Sequence, residues 1–347
     1  MAQALRAAQQ TVDTAKKGFY AHSLHGYFLR AGDDDLPIYY YVDRLRDGAT
    51  FCIRRVTAVQ NGQEIYMCLI SFHIPETGLD HQDAMPKVPP PEELTPVRQY
   101  FIELSQNENL PKRARDVLKY RYTRPAVFEI KWTDPVDGSW QAWSQNPPKR
   151  KPSQQVWMRT RTRLPDDSAL HQAAIAYMSD WALINVVGRP HGAPTFNDKA
   201  QVTSLDHAVW FHVPDARADD WLLVSIHSPR LTSSRALIQS RFYTRDGTLV
   251  ASVAQEALYR LRSAPIKKAP KPPAVRTSSS GSEEKSNTSS GSSKTESKTS
   301  EDADTSKSNS NSSESSGFIV PNPPTREIIE VPPIETELRI GDSRSKL

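Results

Sequence analysis

The stretch Ser204-Leu-Asp-His207 brings a hydroxyl, a carboxylate and an imidazole within four consecutive residues. These are the groups that serine hydrolases use for nucleophilic attack. The surrounding residues, SLDHAVWFHVP, predict a β-strand, in which neighbouring side chains point to opposite faces of a sheet. Asp206 and His207 are therefore not expected to face one site, and the chain contains no G-x-S-x-G nucleophile elbow. We expect Ser204 and Asp206 to share a face and His207 to be structural.

The other reactive side chains lack the spacing of a metal or nucleotide site. His25, His212 and His227 do not have metal-ligand spacing, and no H-E-x-x-H occurs. Two cysteines, Cys52 and Cys68, are too few for a structural zinc site or a disulfide framework, and they fit a reducing compartment. The phosphate-binding G-x-x-x-x-G-K-[ST] loop is absent as well. We therefore expect no metal and no cofactor.

Composition limits the classes of protein further. The 347 residues include 44 Lys and Arg against 40 Asp and Glu, and the net charge of +4 is too small to indicate nucleic-acid binding. There is no run of about 18 apolar residues, so no membrane span is expected, and the N-terminus lacks the apolar stretch of a secretory signal. Only 37% of the residues are hydrophobic, which indicates that part of the chain does not pack into a core.

The polar excess lies near the C-terminus. Of the 40 residues from 277 to 316, 23 are Ser or Thr and none is aromatic, so we expect this segment to be disordered. Residues 267–276, KKAPKPPAVR, predict an extended linker. The Pro-containing tail after residue 316 is expected either to dock as a strand or to carry the end of the chain to a partner.

The chain ends in Ser345-Lys346-Leu347. A C-terminal S-K-L is an address that the peroxisomal targeting-signal receptor reads. The free carboxylate, the basic middle residue and the apolar last residue suit a receptor groove, and a flexible segment before them would let the address reach it. The sequence therefore predicts a protein of the peroxisomal matrix with this receptor as a partner. The alternative is a polar tail without a function.

Residues 1–266 contain one pattern twice. Residues 4–15, ALRAAQQTVDTA, and residues 168–184, SALHQAAIAYMSDWALI, predict helices. Each is followed by runs rich in β-branched and aromatic residues, separated by turn residues. Asn61-Gly62 and Asp246-Gly247 predict matching hairpin turns. A helix followed by an antiparallel meander, present twice, predicts a duplicated α+β unit in which a curved sheet wraps each helix.

These repeated stretches resemble the type II acyl-CoA thioesterases of the double hotdog fold, which include bacterial thioesterase II and the peroxisomal acyl-CoA thioesterases. The matching stretches span most of residues 1–262: HGYFLRAGD (25–33), RDGATFCIRRVTAVQNGQEIYMCLISF (46–72), AYMSD (176–180), SLDHAVWFHVP (204–214) and DGTLVASVAQEALYR (246–260). The resemblance implies two tandem hotdog units, each a long helix wrapped by a curved antiparallel sheet, followed here by the disordered Ser-rich tail. It also implies a fatty acyl-CoA substrate, no cofactor beyond the coenzyme A of that substrate, and association into homo-oligomers.

In this family a carboxylate, a hydroxyl and an amide activate one water, and the resemblance assigns these roles to Asp180, Ser204 and Gln255. The carboxylate accepts a proton of the water, while the other two groups hold and aim it at the thioester carbonyl. No covalent intermediate is needed, because thiolate is a good leaving group. Asp180 is expected near a helix end, Ser204 at the start of a strand, and Gln255 on the last strand, with Asp206 supporting the site. Taken singly, each residue is explained equally well as an ordinary polar side chain.

Four arginines in predicted strands, Arg54, Arg55, Arg235 and Arg241, are candidates to contact the phosphates of coenzyme A, and the last three are retained as candidate binding residues. The guanidinium group suits phosphate because it forms paired hydrogen bonds. A solvated strand face explains each of these residues equally well, so the substrate-binding residues stay open.

One feature departs from the family pattern. Family members have a strand before the first helix, whereas here Met1 lies where that helix should already have begun. The N-terminal hotdog is therefore expected to lack its first strand and to expose a sheet edge. The expected segments are an N-terminal hotdog (1–125), a connection (126–167), a C-terminal hotdog with the reactive residues (168–264), a linker (265–316) and a targeting tail (317–347).

Two functions from different classes fit these observations. The first is a peroxisomal acyl-CoA thioesterase that releases a fatty acid and free coenzyme A. The second is a non-catalytic hotdog module that binds acyl-CoA or a partner without hydrolysis. The presence of Asp180, Ser204 and Gln255 together favours the first function, and the short N-terminus favours the second.

Overall fold

The computed structural model of the protein describes residues 1–13, 18–123, 126–134, 149–192, 200–261, 326–334 and 338. The α-helices in these ranges are α1 (Ala2–Gln9), α2 (Val97–Ser105), α3 (Lys112–Thr123) and α4 (Ser168–Asp180). The strands are β1 (Tyr20–Phe28), β2 (Tyr39–Asp47), β3 (Phe51–Gln60), β4 (Gln63–His73), β5 (Phe128–Trp132), β6 (Ser153–Thr160), β7 (Ala200–Ser204), β8 (Asp206–Phe211), β9 (Leu222–Thr232), β10 (Arg235–Tyr243), β11 (Leu249–Leu261) and β12 (Arg326–Ile329).

These strands form one antiparallel sheet. Its order is β12-β2-β3-β4-β1-β8-β11-β10-β9-β6-β5, and β7 pairs with β11 off this path. At its centre β1 pairs with β8, so that Ser23 lies opposite Trp210 and Tyr27 lies opposite Asp206. This pairing joins the sheets of the two repeats into one surface.

In the first repeat, helix α1 packs against β2, β3 and β4. Every second residue of β4 is buried, as expected for a strand with one face toward the core: Tyr66, Cys68, Ile70 and Phe72. The period-2 alternation that the sequence shows thus places the apolar face of the sheet against the helix.

Helix α4 is the central helix of the second repeat. It begins after Asp167, whose carboxylate accepts a hydrogen bond of 3.0 Å from the backbone N–H of Ala169 and so caps the helix. Three of its four alanines, Ala173, Ala174 and Ala176, are fully buried, and α1 packs against this helix. The Gln9 amide donates to the Ala169 carbonyl at 3.0 Å. Two helix-and-meander repeats are therefore present, which confirms the expected α+β architecture.

The hairpin turns of the two repeats do not match as expected. In the first, Asn61 and Gly62 have φ angles of 48° and 70°, the left-handed values that a two-residue type I′ turn requires. In the second, residues 244–248 form a longer loop, closed by a 2.9 Å bond from Thr244 N to Thr248 O, and only Gly247 has a positive φ. The hairpins are confirmed, whereas the equivalence of their turns is wrong.

Residues 126–167 do more than connect the repeats. They contribute β5 and β6, and β6 pairs with β9 so that Ser153 lies opposite His227. The stretch expected to be a connection therefore supplies edge strands of the second sheet, with β6 directly preceding α4 in the chain.

The tail docks as a strand, which was one of the two alternatives for it. Strand β12 pairs with β2, and Arg326 donates two hydrogen bonds, of 2.7 and 3.0 Å, to the buried carboxylate of Asp43. Beyond β12, Ile334 and Leu338 are buried at 4% and 1% exposure. The edge of β2, expected to be exposed, is thus covered by β12, as β6 covers the edge of β9 in the second repeat.

No helix in the described ranges is long and apolar enough to cross a membrane. The Ser-rich segment 277–316 and the terminal Ser345-Lys346-Leu347 lie outside the described residues. The boundaries of the five expected segments stay predictions.

Candidate active site

Ser204 and Gln255 meet where β7, β8 and β11 come together. Ser204 is the last residue of β7, not the first residue of a strand as expected, and it lies opposite Ala257 of β11. The Gln255 side chain points into the core at 1% exposure and donates a hydrogen bond of 2.9 Å from Nε2 to Ser204 Oγ. The structure therefore brings two of the three expected residues into direct contact.

Asp180 is the last residue of α4, as expected from the helix pattern, and its side chain is exposed. The residue before it, Ser179, is buried and contacts His207 through a 2.8 Å hydrogen bond between Ser179 Oγ and His207 Nε2. The negative charge of Asp180 also acts to raise the pKa of His207, which places the carboxylate in the electrostatic neighbourhood of this group. The end of α4 thus faces the Ser204–Gln255 pair.

His207 is the residue whose role the sequence interpretation missed. It is fully buried, and its Nδ1 forms a short hydrogen bond with Gln255 Oε1. We expected Ser204 and Asp206 to share a face because we treated SLDH as one strand. The chain instead leaves strand geometry at Leu205, so that Ser204 and His207 both contact Gln255. Both imidazole nitrogens have partners other than Ser204.

Asp206 holds the backbone next to the site. Its Oδ1 accepts a 2.6 Å hydrogen bond from the backbone N–H of Glu256, the residue after Gln255. The backbone N–H of Leu205 in turn donates to the Glu256 carbonyl at 2.9 Å. These bonds fix the chain around Gln255, and they agree with the expected supporting position of Asp206.

Burial is the largest effect on the ionisation of His207. It lowers the pKa of the imidazole, while the bond to Gln255 and the charges of Asp180 and Asp206 act in the opposite direction. Since the pKa is lowered overall, His207 is neutral at neutral pH. The Met1 amino group, at the start of α1, is buried too, and the charge of Asp180 partly offsets the lowering of its pKa by burial. The start of α1 and the end of α4 therefore lie in one electrostatic environment.

Two family models match the chain. The model described as acyl-CoA thioesterase matches residues 126–258, and the model described as acyl-CoA thioesterase N-terminal domain matches residues 1–73. Acyl-coenzyme A thioesterase 8 of Mus musculus is 38% identical over 268 residues, which is 76% of this chain and 79% of that protein. The chain belongs to the acyl-CoA thioesterase family.

Two further similarities agree with this membership. The crystal structure of acyl-CoA thioesterase II TesB2 from Mycobacterium marinum has a TM-score of 0.58 and 38% identity, covering 76% of this chain and 88% of that one. The peroxisomal acyl-coenzyme A thioester hydrolase 1 of Saccharomyces cerevisiae is 27% identical, covering 71% of this chain and 81% of that protein. The double hotdog fold that the resemblance implied is confirmed.

The three candidate phosphate-binding arginines of this thioesterase family member are each ion-paired. Arg55 meets Asp43 at 2.8 Å, Arg235 meets Glu256 at 2.9 Å, and Arg241 meets Asp83 at 2.8 Å. Their binding role stays a prediction.

The fourth arginine, Arg54, is almost fully buried. It donates to Thr11 Oγ1 at 2.9 Å and to Asp47 Oδ1 at 2.5 Å. It is part of the core of the first repeat and is not available to a ligand.

A cationic cavity lies at the start of β6. It has a volume of about 840 Å³ and is lined by Ser153, Gln154, Gln155 and Pro190, with four basic side chains and one carboxylate: Lys149, Arg150, Lys151, Arg189 and Asp134. Sequence interpretation missed this group, because Lys149 to Lys151 and Arg189 come from separate segments. Among the described residues, no cluster of His, Cys, Asp and Glu suits a metal ion.

Proposed function

We propose that the protein hydrolyses fatty acyl-CoA to a free fatty acid and coenzyme A, using one water held by Asp180, Ser204 and Gln255. The observation that carries this proposal is the partly buried Gln255–Ser204 hydrogen bond, which His207 connects to the end of α4, in a chain of the acyl-CoA thioesterase family. The names of the relatives supply the substrate class, and this geometry supplies groups that suit a bound water.

In the proposed reaction, the Asp180 carboxylate takes a proton from the water while the oxygen of the water attacks the thioester carbonyl carbon. Ser204 and Gln255 hold the water so that one lone pair faces that carbon. The tetrahedral intermediate then collapses, the carbon–sulfur bond breaks, and the thiolate of coenzyme A leaves and recovers a proton.

Direct attack by water is preferred to attack by Ser204 for a geometric reason. A nucleophilic serine needs a base within hydrogen-bond reach of its hydroxyl. Both nitrogens of His207 are engaged, with Gln255 and with Ser179, and neither contacts Ser204. A covalent acyl-enzyme on Ser204 would therefore lack its base.

We further propose that the cationic cavity binds the phosphates of coenzyme A. Strand pairing connects the cavity to the site: Ser153 of β6 lies opposite His227 of β9, and His227 lies opposite Gln239 of β10. Gln239 in turn lies opposite Ala254 of β11, the residue before Gln255. Three strand spacings of about 4.8 Å separate the cavity from the site by about 14 Å along the sheet. Coenzyme A has about 13 bonds between its sulfur and its diphosphate, which span about 15 Å when extended. Lys149 and Lys151 add positive charge to the cavity beyond the 3.2 Å ion pair of Arg150 with Asp134, and this charge suits the polyanion.

The test is thiol release from a panel of acyl-CoA esters and from the matching acyl-pantetheine esters, which lack the nucleotide. Asp180→Asn is expected to lower kcat about a hundredfold or more, and the exposed control Asp215→Asn to leave it unchanged. A folded protein that is inactive on every ester would instead support the non-catalytic acyl-CoA-binding or partner-binding module.

The same panel tests the cavity. The double variant Lys149→Ala/Lys151→Ala is expected to raise KM for acyl-CoA but not for acyl-pantetheine. The control double variant Lys112→Ala/Lys119→Ala, on α3, should leave both KM values unchanged. If the cavity variant hydrolyses both substrates like the unmodified protein, the cavity assignment is wrong while the hydrolytic function stands.

We propose the peroxisomal matrix as the location, with the targeting-signal receptor as a partner of Ser345-Lys346-Leu347. The terminal S-K-L supports this proposal, and so does the similarity to a yeast protein whose name is peroxisomal. Removal of these three residues should abolish import of the full chain in cells. Self-association is also proposed, and sedimentation of the purified chain tests it.

A further inference from the structure

We propose that His207 is a positioning residue that fixes the direction of a buried hydrogen-bond chain from Ser179 to Ser204. The chain passes through His207 and Gln255, and its direction makes the Ser204 hydroxyl a donor toward the water site. This inference rests on the proposed function, because it concerns the water that Asp180, Ser204 and Gln255 hold.

Three members of this chain are shielded from solvent, and Ser204 at its end is partly buried. Ser179, His207 and Gln255 are exposed by 1%, 0% and 1%, so bulk water does not compete for their polar atoms. Ser179 Oγ lies 2.8 Å from His207 Nε2, His207 Nδ1 bonds Gln255 Oε1, and Gln255 Nε2 lies 2.9 Å from Ser204 Oγ. Each group therefore has few alternative partners, and the orientation of one sets the orientation of the next.

The amide of Gln255 has two possible orientations with opposite consequences. With its oxygen toward His207, it accepts from Nδ1–H and donates from Nε2 to Ser204 Oγ, so the Ser204 proton is free to point to the water. With the amide reversed, its oxygen would take the Ser204 proton, and Ser204 would present only lone pairs. In the first orientation the Ser204 hydroxyl can donate to one lone pair of the water and leave the other for attack, which is the arrangement that the proposed reaction uses.

His207 selects the first orientation if its proton is on Nδ1. The imidazole is neutral because burial lowers its pKa, so it carries one N–H. The atom facing Nδ1 is the Gln255 oxygen, which can only accept, and this favours the proton on Nδ1. Nε2 is then an acceptor for the Ser179 hydroxyl, whose proton also has the Ala176 carbonyl as an acceptor 2.7 Å away.

Two substitutions of His207 separate positioning from packing. In His207→Asn the side-chain amide N–H replaces Nδ1–H near Gln255, whereas His207→Leu removes every donor. We expect His207→Leu to lower kcat about tenfold to a hundredfold with KM unchanged, and His207→Asn to recover most of the loss. The control is His212→Asn, an exposed histidine that bonds Ser252 at 2.9 Å and has no link to Gln255; its kcat should be unchanged.

A merely structural role predicts another result. The two His207 variants would then lose kcat in proportion to their loss of thermal stability, without rescue by Asn. Full activity of a folded His207→Leu would overturn the proposal, and so would equal losses in both variants.

The protonation of the ring can be read directly, without any activity. In the full-length protein labelled with ¹⁵N-histidine, the His207 signals are those absent from His207→Asn. We expect a protonated Nδ1 and an unprotonated Nε2 at neutral pH, and we expect Ser179→Ala to shift the proton toward Nε2. A proton on Nε2 in the unmodified protein would overturn the proposal even if the protein is an active thioesterase. The expected tautomer in an inactive protein would instead count against the proposed function alone.

Discussion

Different side chains lie near the ends of the central helices of the two repeats. In the second repeat, the end of α4 faces Gln255, which lies eight residues after Gly247. In the first repeat, the buried residues of β4 are Tyr66, Cys68, Ile70 and Phe72, and none of them carries an amide. Near the end of α1 the buried guanidinium of Arg54 bonds Thr11. Near the end of its central helix, the first repeat therefore has apolar packing and a buried cation. The second repeat has the amide of Gln255 and the hydroxyl of Ser204 there.

This difference shows how one fold divides its tasks between two copies. Both repeats supply a helix and a sheet, but only the second repeat has the Ser179–His207–Gln255–Ser204 chain of hydrogen bonds. The proposed function therefore depends on these side chains and not on the hotdog fold alone.

The largest expected effect comes from making the second repeat resemble the first. Gln255→Leu should lower kcat about a hundredfold to a thousandfold, since the water loses a partner and Ser204 loses its orientation. It should also lower the free energy of unfolding by about 1–3 kcal/mol, because His207 Nδ1 is left buried without its partner. Thiol release and chemical denaturation measure the two effects. Gln239→Leu, at an exposed position on the neighbouring strand β10, is the control. A comparable loss of kcat in this variant would mean that the effect is not specific to Gln255.

A smaller effect tests the edges of the two repeats. The second repeat covers the edge of β9 with the nearby β6, whereas the first uses β12 from the other end of the chain. Leu338→Ala should lower the free energy of unfolding by about 2–4 kcal/mol, because a fully buried leucine leaves a cavity. Leu261→Ala, at 56% exposure, should cost far less. Equal costs in denaturation would mean that Leu338 of the docked tail contributes nothing to the stability of the fold.

The smallest expected effect concerns the ion pair between the tail and β2. Hydrogen bonds from Arg326 are the largest cause that lowers the pKa of Asp43 below its ordinary value of 3.8; burial opposes this and Arg55 adds to it. A lowered carboxyl pKa stabilises the fold above the unfolded value, and this stability is lost as the pH falls through the folded value. Arg326→Ala should therefore cost about 1 kcal/mol at pH 7, a modest amount because Arg326 is half exposed. The difference should shrink as the pH falls below 3.8 and vanish only below the lowered pKa of Asp43. The exposed control Arg230→Ala should show no such pH dependence in denaturation curves.

Much of this arrangement is accessible from the sequence. Hydrophobic periodicity and the Asn61-Gly62 turn predict the repeats, because strand and helix periods depend on neighbouring residues. The resemblance supplied Asp180, Ser204 and Gln255, and the structure joins the last two by a hydrogen bond.

Two features were not accessible, for physical reasons. The break at Leu205 reverses which side chains share a face, and one such break changes every later residue of an alternating pattern. This is why His207 was expected to be remote from the chemistry. The β2–β12 pairing joins residues 283 positions apart, as Arg326 and Asp43 are, and no local pattern encodes such a contact.

The most direct test of the account is the rate of Ser204→Ala beside that of Ser23→Ala, a buried serine on β1 of the first repeat. If Ser204 only orients a water, Ser204→Ala should retain about a tenth to a hundredth of the unmodified kcat for acyl-CoA, while Ser23→Ala should retain all of it. A fall of about a millionfold in Ser204→Ala would show a nucleophilic serine and contradict direct attack by water. A loss in Ser23→Ala equal to that in Ser204→Ala would contradict the assignment of the reaction to the second repeat.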